Sequence, residues 1–182
     1  MAPYCFLHFT DPHIPPPGET VLGIDPTSWF AAALADAARR HGPGSAQPAA
    51  FAVFTGDLVR DGEPAAYARF RDMLDGLPWP VHLLLGNHDD RGAFRDAFPG
   101  AALDDAGFAQ QAVQTPAGLC LMLDTHAPGR PEGELCAKRL GWLADRLAES
   151  AGPVLLFLHH PPLPVGIPFM DGIALRDPDA LW

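Results

Sequence analysis

Polar side chains that can bind metal ions or move protons follow four apolar segments of this sequence. The segments LHFTDPH, VFTGD, VHLLLGNHDD and LLFLHHPP each pass from apolar residues into Asp, Asn or His. The polar residues in question are Asp11, His13, Asp57, Asn87, His88, His159 and His160. Carboxylate oxygens, imidazole nitrogens and an amide oxygen together suit divalent ions such as Mn²⁺, Fe²⁺ or Zn²⁺. The set therefore indicates a candidate metal site.

Each of these motifs also has a structural explanation when it is taken alone. Asp11-Pro12-His13 could be a turn after a strand, and Gly56-Asp57 is common turn chemistry. A single Asn87 would usually bond to its own backbone, and a single His159 would usually be a satisfied structural histidine. Turn chemistry does not explain why such residues recur after four separate apolar segments, so the joint pattern favours a functional site.

Alternation of apolar runs and helical patterns predicts an α/β layered fold with a largely parallel central sheet. The runs expected to be buried strands are Tyr4–Phe9, Ala50–Phe54, Val81–Leu85, Leu119–Leu123 and Val154–Leu158. Three helices are predicted: one that is capped by Asp25, begins at Pro26 and is ended by Gly42, one over Pro64–Leu74 and one over Ala137–Ser150. An antiparallel hairpin is predicted from Phe108–Thr115 and Leu119–Asp124. Because the carboxyl ends of parallel strands lie side by side, the four polar motifs should converge.

Composition limits the class of protein. A chain of 182 residues that is 48% hydrophobic predicts one domain over residues 1–182. A net charge of −10 argues against a nucleic-acid partner. The three cysteines lack C-x-x-C spacing, which favours a reducing compartment. The N-terminal segment does not resemble a secretory signal, and no run approaches the roughly 18 apolar residues of a membrane span, so we expect a soluble, cytoplasmic protein without a membrane partner.

The four motifs in order resemble one family. The chain contains, in order, DPH, GD with a glycine at residue 62, GNHD and HHPP. These motifs are similar to the signatures of calcineurin-like metallophosphoesterases, in particular the bacterial class III cyclic-nucleotide and glycerophosphodiester phosphodiesterases. The resemblance implies an α/β/β/α sandwich with a metal site at the strand ends. It also implies hydrolysis of a small phosphodiester by a dinuclear centre, with a metal-bound hydroxide as the nucleophile.

The resemblance also implies individual roles for the polar residues. Asp11 and His13 would bind the first metal, and Asp57 would bridge both metals. Asn87 and His159 would bind the second. His88 would lie close to the metals without binding them and would act on the phosphate or the leaving oxygen. His160 is expected to be a structural neighbour of His159, whereas the roles of His126 and Arg91 stay open.

One feature of the family pattern is missing. The pattern closes with Gly-His-x-His, which supplies one histidine to each metal, and no such motif follows His160. We therefore expect a chain that ends before this motif, with apolar surface covered by a second copy in a homo-oligomer. Two function classes stay open: a metal-dependent phosphodiesterase and a catalytically impaired metal-binding remnant. Within the enzyme class, a phosphomonoesterase or a nuclease is the alternative.

Overall fold

The structure is a computed structural model that describes residues 4–101 and 103–182. Residues 1–3, part of the segment used to argue against a secretory signal, lie outside the described residues. The elements in chain order are β1 (Leu7–Phe9), α1 (Pro26–His41), β2 (Ala52–Thr55), α2 (Pro64–Leu74), β3 (Val81–Leu84), α3 (Arg91–Ala97), β4 (Gln111–Thr115), β5 (Gly118–Met122), α4 (Ala137–Glu149), β6 (Val154–Phe157), α5 (Pro168–Asp171) and a 3₁₀ turn (Pro178–Leu181).

The strands form two three-stranded sheets, which make the fold a mixed α/β fold. The first sheet has the order β1-β2-β3, and β1 and β2 are parallel. The second has the order β4-β5-β6, with an antiparallel β4-β5 hairpin and a parallel β5-β6 pair. The predicted hairpin is confirmed. Two sheets, as the family resemblance implies, replace the single largely parallel sheet that alternation alone predicts.

The chain divides into two compact units. The first contains Met1–Leu83 and His88–Ala101, and the second contains Leu84–Asn87 and Ala102–Trp182. The first unit packs around β2, whose four residues are all buried. Phe54 stacks on Phe9 with ring centroids 4.9 Å apart and meets Phe70 of α2 edge to face at 5.7 Å. The core of the second unit centres on Leu121, Leu123 and Leu143.

A proline marks the start of two of the three predicted helices, α1 and α2. The Asp25 carboxylate accepts a hydrogen bond from the Thr27 amide at 3.0 Å, and Pro26 occupies the first turn of α1. Helix α2 also begins at a proline, Pro64. The predicted ends of α1 and α2 are confirmed, and α4 ends one residue early.

None of the helices in the described ranges combines the length and apolar character that crossing a bilayer demands.

Candidate metal centre

Backbone pairing that continues past β1 and β2 brings three of the predicted ligands together in the first unit. The Asp11 amide donates to the Gly56 carbonyl at 3.1 Å, and the His13 amide donates to the Asp57 carbonyl at 3.0 Å. The loops after the two parallel strands therefore run side by side. Their side chains are held by main-chain bonds rather than by flexible loop contacts, which favours a fixed ligand geometry.

The same three residues adopt left-handed backbone conformations. Asp11, His13 and Asp57 have φ values of 55°, 44° and 49°, and they are three of the five non-glycine residues with positive φ in the described chain. Such conformations are uncommon outside glycine, although Asp and His adopt them more readily than most residues. Unfavourable backbone conformations that the surrounding structure maintains cluster at functional sites. Their concentration here supports a site at Asp11, His13 and Asp57.

The side chains form a compact group of acids and imidazoles. His13 Nε2 lies 3.6 Å from Asp11 Oδ1 and 3.4 Å from Asp57 Oδ2. One ring nitrogen of His13, one of His88 and a carboxylate oxygen of Asp57 all lie within 4.8 Å of one another. The hydrogen bond to Asp11, assisted by the charge of Asp57, raises the pKa of His13 although partial burial opposes it. A site that favours a positive imidazole in this way also favours a metal cation.

His88 is held from both its backbone and its ring. Its amide donates to Asp57 Oδ1 at 2.9 Å, and its Nδ1 lies 2.6 Å from the Arg60 carbonyl oxygen. A carbonyl oxygen only accepts hydrogen bonds, so Nδ1 carries the proton and donates it. In the neutral ring Nε2 then carries the lone pair. Asp61 Oδ1, 3.9 Å from Nδ1, adds negative charge behind the ring.

Asp61 and Arg60 are neighbours of the candidate site that the sequence reasoning did not single out. The signal was present in part, because both lie within the GDLVRDG segment whose Gly62 contributes to the family resemblance. Gly62 has φ +74°, and a Cβ atom there would lie 2.9 Å from the Asp90 Cβ. Only glycine fits this close approach, which explains the fixed position of the segment beside His88.

Asp89 holds the loop that carries Asp57. Its buried carboxylate accepts hydrogen bonds from the Leu58 amide at 3.2 Å and from the Tyr67 hydroxyl at 2.9 Å. Burial, followed by the Asp89 charge, raises the pKa of Tyr67, so the hydroxyl stays a donor at neutral pH. Asp90 instead caps α3 by accepting from the Ala93 amide at 2.7 Å. Asp89 therefore orients the loop, and Asp90 starts a helix.

Tyr67→Phe is expected to lower the free energy of unfolding by about 1–3 kcal/mol, because it removes a donor from the buried Asp89 carboxylate. Urea unfolding monitored by circular dichroism measures the change. Tyr4→Phe is the matched control, since the Tyr4 hydroxyl makes no hydrogen bond within the described residues and should change stability by less than about 0.5 kcal/mol. Equal destabilisation by the two variants would contradict this role of Tyr67.

The second unit brings together the two remaining predicted ligands. Asn87 follows the end of β3, and His159 follows β6. His159 Nε2 lies 3.4 Å from Asn87 Oδ1 although 72 residues separate them. An imidazole nitrogen and an amide oxygen at this distance are two neutral ligands suited to one divalent ion.

His160 has the environment of a structural histidine. Its side chain is buried, and its Nδ1 lies 2.7 Å from Thr125 Oγ1. Burial, with the neighbouring His159 adding to it, lowers the pKa of His160 to about 3, so the ring is neutral at physiological pH. A Cβ atom at Gly133 would lie 2.4 Å from the His160 Cγ, so only glycine allows this packing.

Arg91, whose role the sequence left open, is the first residue of α3.

Comparisons with known proteins identify the family of the chain. The family model for calcineurin-like phosphoesterases matches residues 5–180. The chain belongs to the calcineurin-like phosphoesterase family. It is 41% identical over 97% of its length to a probable cyclic nucleotide phosphodiesterase of Rhodopseudomonas palustris, covering 64% of that protein. It is 34% identical over 98% of its length to a cAMP/cGMP dual specificity phosphodiesterase of Mycobacterium tuberculosis, covering 56% of it.

A third relative is named for a different substrate. The chain is 34% identical over 69% of its length to the glycerophosphodiester phosphodiesterase GpdQ of Enterobacter lignolyticus, covering 46% of that protein. The chain thus spans about half to two thirds of the length of these curated relatives.

The donor set fits the metals of the family. Calcineurin-like phosphoesterases use divalent metals. The first unit offers two carboxylates and His13, and the second offers an amide oxygen and His159. None of these donors is a thiolate, so the set suits Mn²⁺, Fe²⁺ or Zn²⁺ rather than a metal selected by sulfur. The donors within each unit therefore fit a divalent metal ion.

Proposed function

We propose that this protein hydrolyses a small phosphodiester, a cyclic nucleotide or a glycerophosphodiester, with the help of two divalent metal ions. The observation that carries the proposal is the group of Asp11, His13, Asp57 and His88 side chains, because it combines metal ligands with a histidine placed to move a proton. The names of the relatives in the family support a diester as the substrate. The net charge of −10 disfavours a long polyanionic substrate.

We assign the ligands by the family resemblance and by the geometry within each unit. Asp11 and His13 would hold the first ion, and Asn87 and His159 the second. Asp57 would be shared, because a carboxylate reduces the repulsion between two cations. Two such ions, when bound, supply activation of water and neutralise charge on the phosphate oxygens.

His88 is proposed to be the proton donor. Its Nδ1 is occupied by the Arg60 carbonyl, so Nε2 is the nitrogen that can face a substrate. A protonated Nε2 would donate to a phosphate oxygen or to the leaving oxygen.

Hydrolysis of a small substrate panel tests the proposed activity. Bis(4-nitrophenyl) phosphate, cyclic AMP and a glycerophosphodiester are compared with the monoester 4-nitrophenyl phosphate, with added Mn²⁺, Fe²⁺ or Zn²⁺ and with a chelator. We expect diesters to react faster than the monoester and the chelator to abolish turnover. Metal binding without turnover would support the impaired remnant instead, and a preference for the monoester would support a phosphomonoesterase.

We also propose that the protein is a cytoplasmic homo-oligomer. Large apolar side chains are exposed in the segment after His160, at Leu163, Val165, Ile167 and Phe169. Exposed apolar residues, where they form a patch, mark surfaces that associate. Light scattering at several concentrations tests the proposal, and a monomer at all concentrations would overturn it.

A further inference from the structure

His126 is a buried histidine to which the family motifs give no role. Its side chain is only 4% exposed, and its Nδ1 lies 2.9 Å from the Gly86 carbonyl oxygen. Because the carbonyl can only accept, Nδ1 carries the proton and donates it. This hydrogen bond joins two segments that are 40 residues apart in the chain.

The backbone of His126 is itself fixed from both sides. Its amide donates to Asp124 Oδ1 at 2.9 Å, and its carbonyl accepts from Arg139 Nη1 at 3.0 Å. Arg139 belongs to α4, is 3% exposed and also donates to the Asp124 carbonyl at 3.0 Å. Its guanidinium lies 4.8 Å from the Phe108 ring centroid. This network of buried bonds leaves the His126 ring little freedom of position.

The accepting carbonyl lies in the peptide that leads into a proposed ligand. The Gly86 carbonyl and the Asn87 nitrogen belong to one planar peptide unit. A hydrogen bond that fixes the carbonyl therefore also fixes the orientation of the peptide that leads into Asn87. Asn87 Oδ1 lies 3.4 Å from His159 Nε2, and a small rotation of that peptide would change this distance.

We propose that His126 is a positioning residue that orients Asn87 for metal binding by donating its Nδ1 proton to the Gly86 carbonyl. This inference rests on the proposed function, because it needs Asn87 to be a ligand. Hydrogen bonds that orient metal ligands commonly change metal affinity by 10–100-fold when they are lost. His126 would thus contribute to binding of the second ion without touching it.

Two substitutions at His126 separate the hydrogen bond from simple packing. His126→Leu removes the donor and keeps an apolar side chain of moderate size, whereas His126→Asn keeps an N–H donor close to the position of Nδ1. Titration of metal-free protein with Mn²⁺ or Zn²⁺ should show weaker binding of one ion by about 10–100-fold in His126→Leu. His126→Asn should restore the affinity to within about threefold of the original protein.

A double-mutant cycle with Asn87→Ala shows whether the effect passes through Asn87. In that background His126→Leu should cause no further loss of metal affinity, because the ligand that it positions is gone. In addition, ¹⁵N NMR of the metal-free protein should show His126 with its proton on Nδ1.

Three results would overturn the proposal: unchanged metal affinity in His126→Leu, an equal loss in the Asn87→Ala background, or a proton on Nε2. If the unaltered protein hydrolyses diesters and binds two ions while any of these results is found, only the role of His126 fails. If the unaltered protein binds no divalent ion, the proposed function fails and the positioning role fails with it.

Discussion

Asp57→Asn is expected to reduce phosphodiester hydrolysis by about 10³-fold, equivalent to about 4 kcal/mol of transition-state stabilisation, and to remove tightly bound metal. Asp57 is 4% exposed, it lies 3.4 Å from His13 Nε2, and it accepts the His88 amide at 2.9 Å. The asparagine keeps the size of the side chain and an oxygen that can accept from the His88 amide. It removes the negative charge that, in the proposed centre, would offset the repulsion between two cations.

The matched control for this variant is Asp145→Asn, an exposed carboxylate on α4. We expect its turnover and metal content to stay within about twofold of the original protein, because an exposed charge contributes little. Metal content is measured by atomic emission after removal of free metal. Retention of both activity and metal in Asp57→Asn would exclude Asp57 as the shared ligand.

His88→Ala is expected to lower turnover by about 10²–10⁴-fold, the usual contribution of a positioned proton donor, while the metal content changes little. Its ring is oriented by the hydrogen bond from Nδ1 to the Arg60 carbonyl at 2.6 Å, an arrangement suited to proton donation through Nε2. Steady-state kinetics and metal analysis on the same preparation measure both quantities.

His41→Ala serves as the comparison for His88→Ala, because it removes an imidazole at the end of α1 that bonds to the Gln47 carbonyl. Its turnover should remain unchanged. If metal content and activity fell together in His88→Ala, His88 would instead be a metal ligand. Its ring nitrogen, within 4.8 Å of ligand atoms of His13 and Asp57, would be close enough for that role.

Each of the six strands in the described residues overlaps a predicted run or hairpin arm, whereas the short helices α3 and α5 were not predicted. Helices α1, α2 and α4 carry proline or regularly spaced apolar residues over 11 to 16 positions. Helix α3 has only seven residues and one buried side chain, Phe94, so its periodicity is not visible. The prediction that all apolar runs are buried on both faces is wrong for β1 and β6, which each lie at a sheet edge. His8 of β1 is exposed, and Val154 and Leu155 of β6 are 36% and 43% exposed.

The candidate site was predictable in its residue types but not in its supporting contacts. Asp11 and Asp57 follow apolar runs, which is a local signal, but their left-handed backbone conformations depend on pairing between the two loops. The hydrogen bond from His126 to Gly86 joins distant segments, and although Gly86 begins the GNHD motif, His126 belongs to none of the four motifs. Contacts of this kind come from tertiary packing, which periodicity and spacing do not encode.

Anomalous diffraction from crystals grown with Mn²⁺ tests the central claim most directly, because it locates the ions themselves. The account predicts two peaks about 3.5–4 Å apart, both within coordination distance of the Asp57 carboxylate. One should have Asp11 and His13 among its ligands. Absence of any peak beside Asp57, or a peak that none of these three side chains contacts, would contradict it.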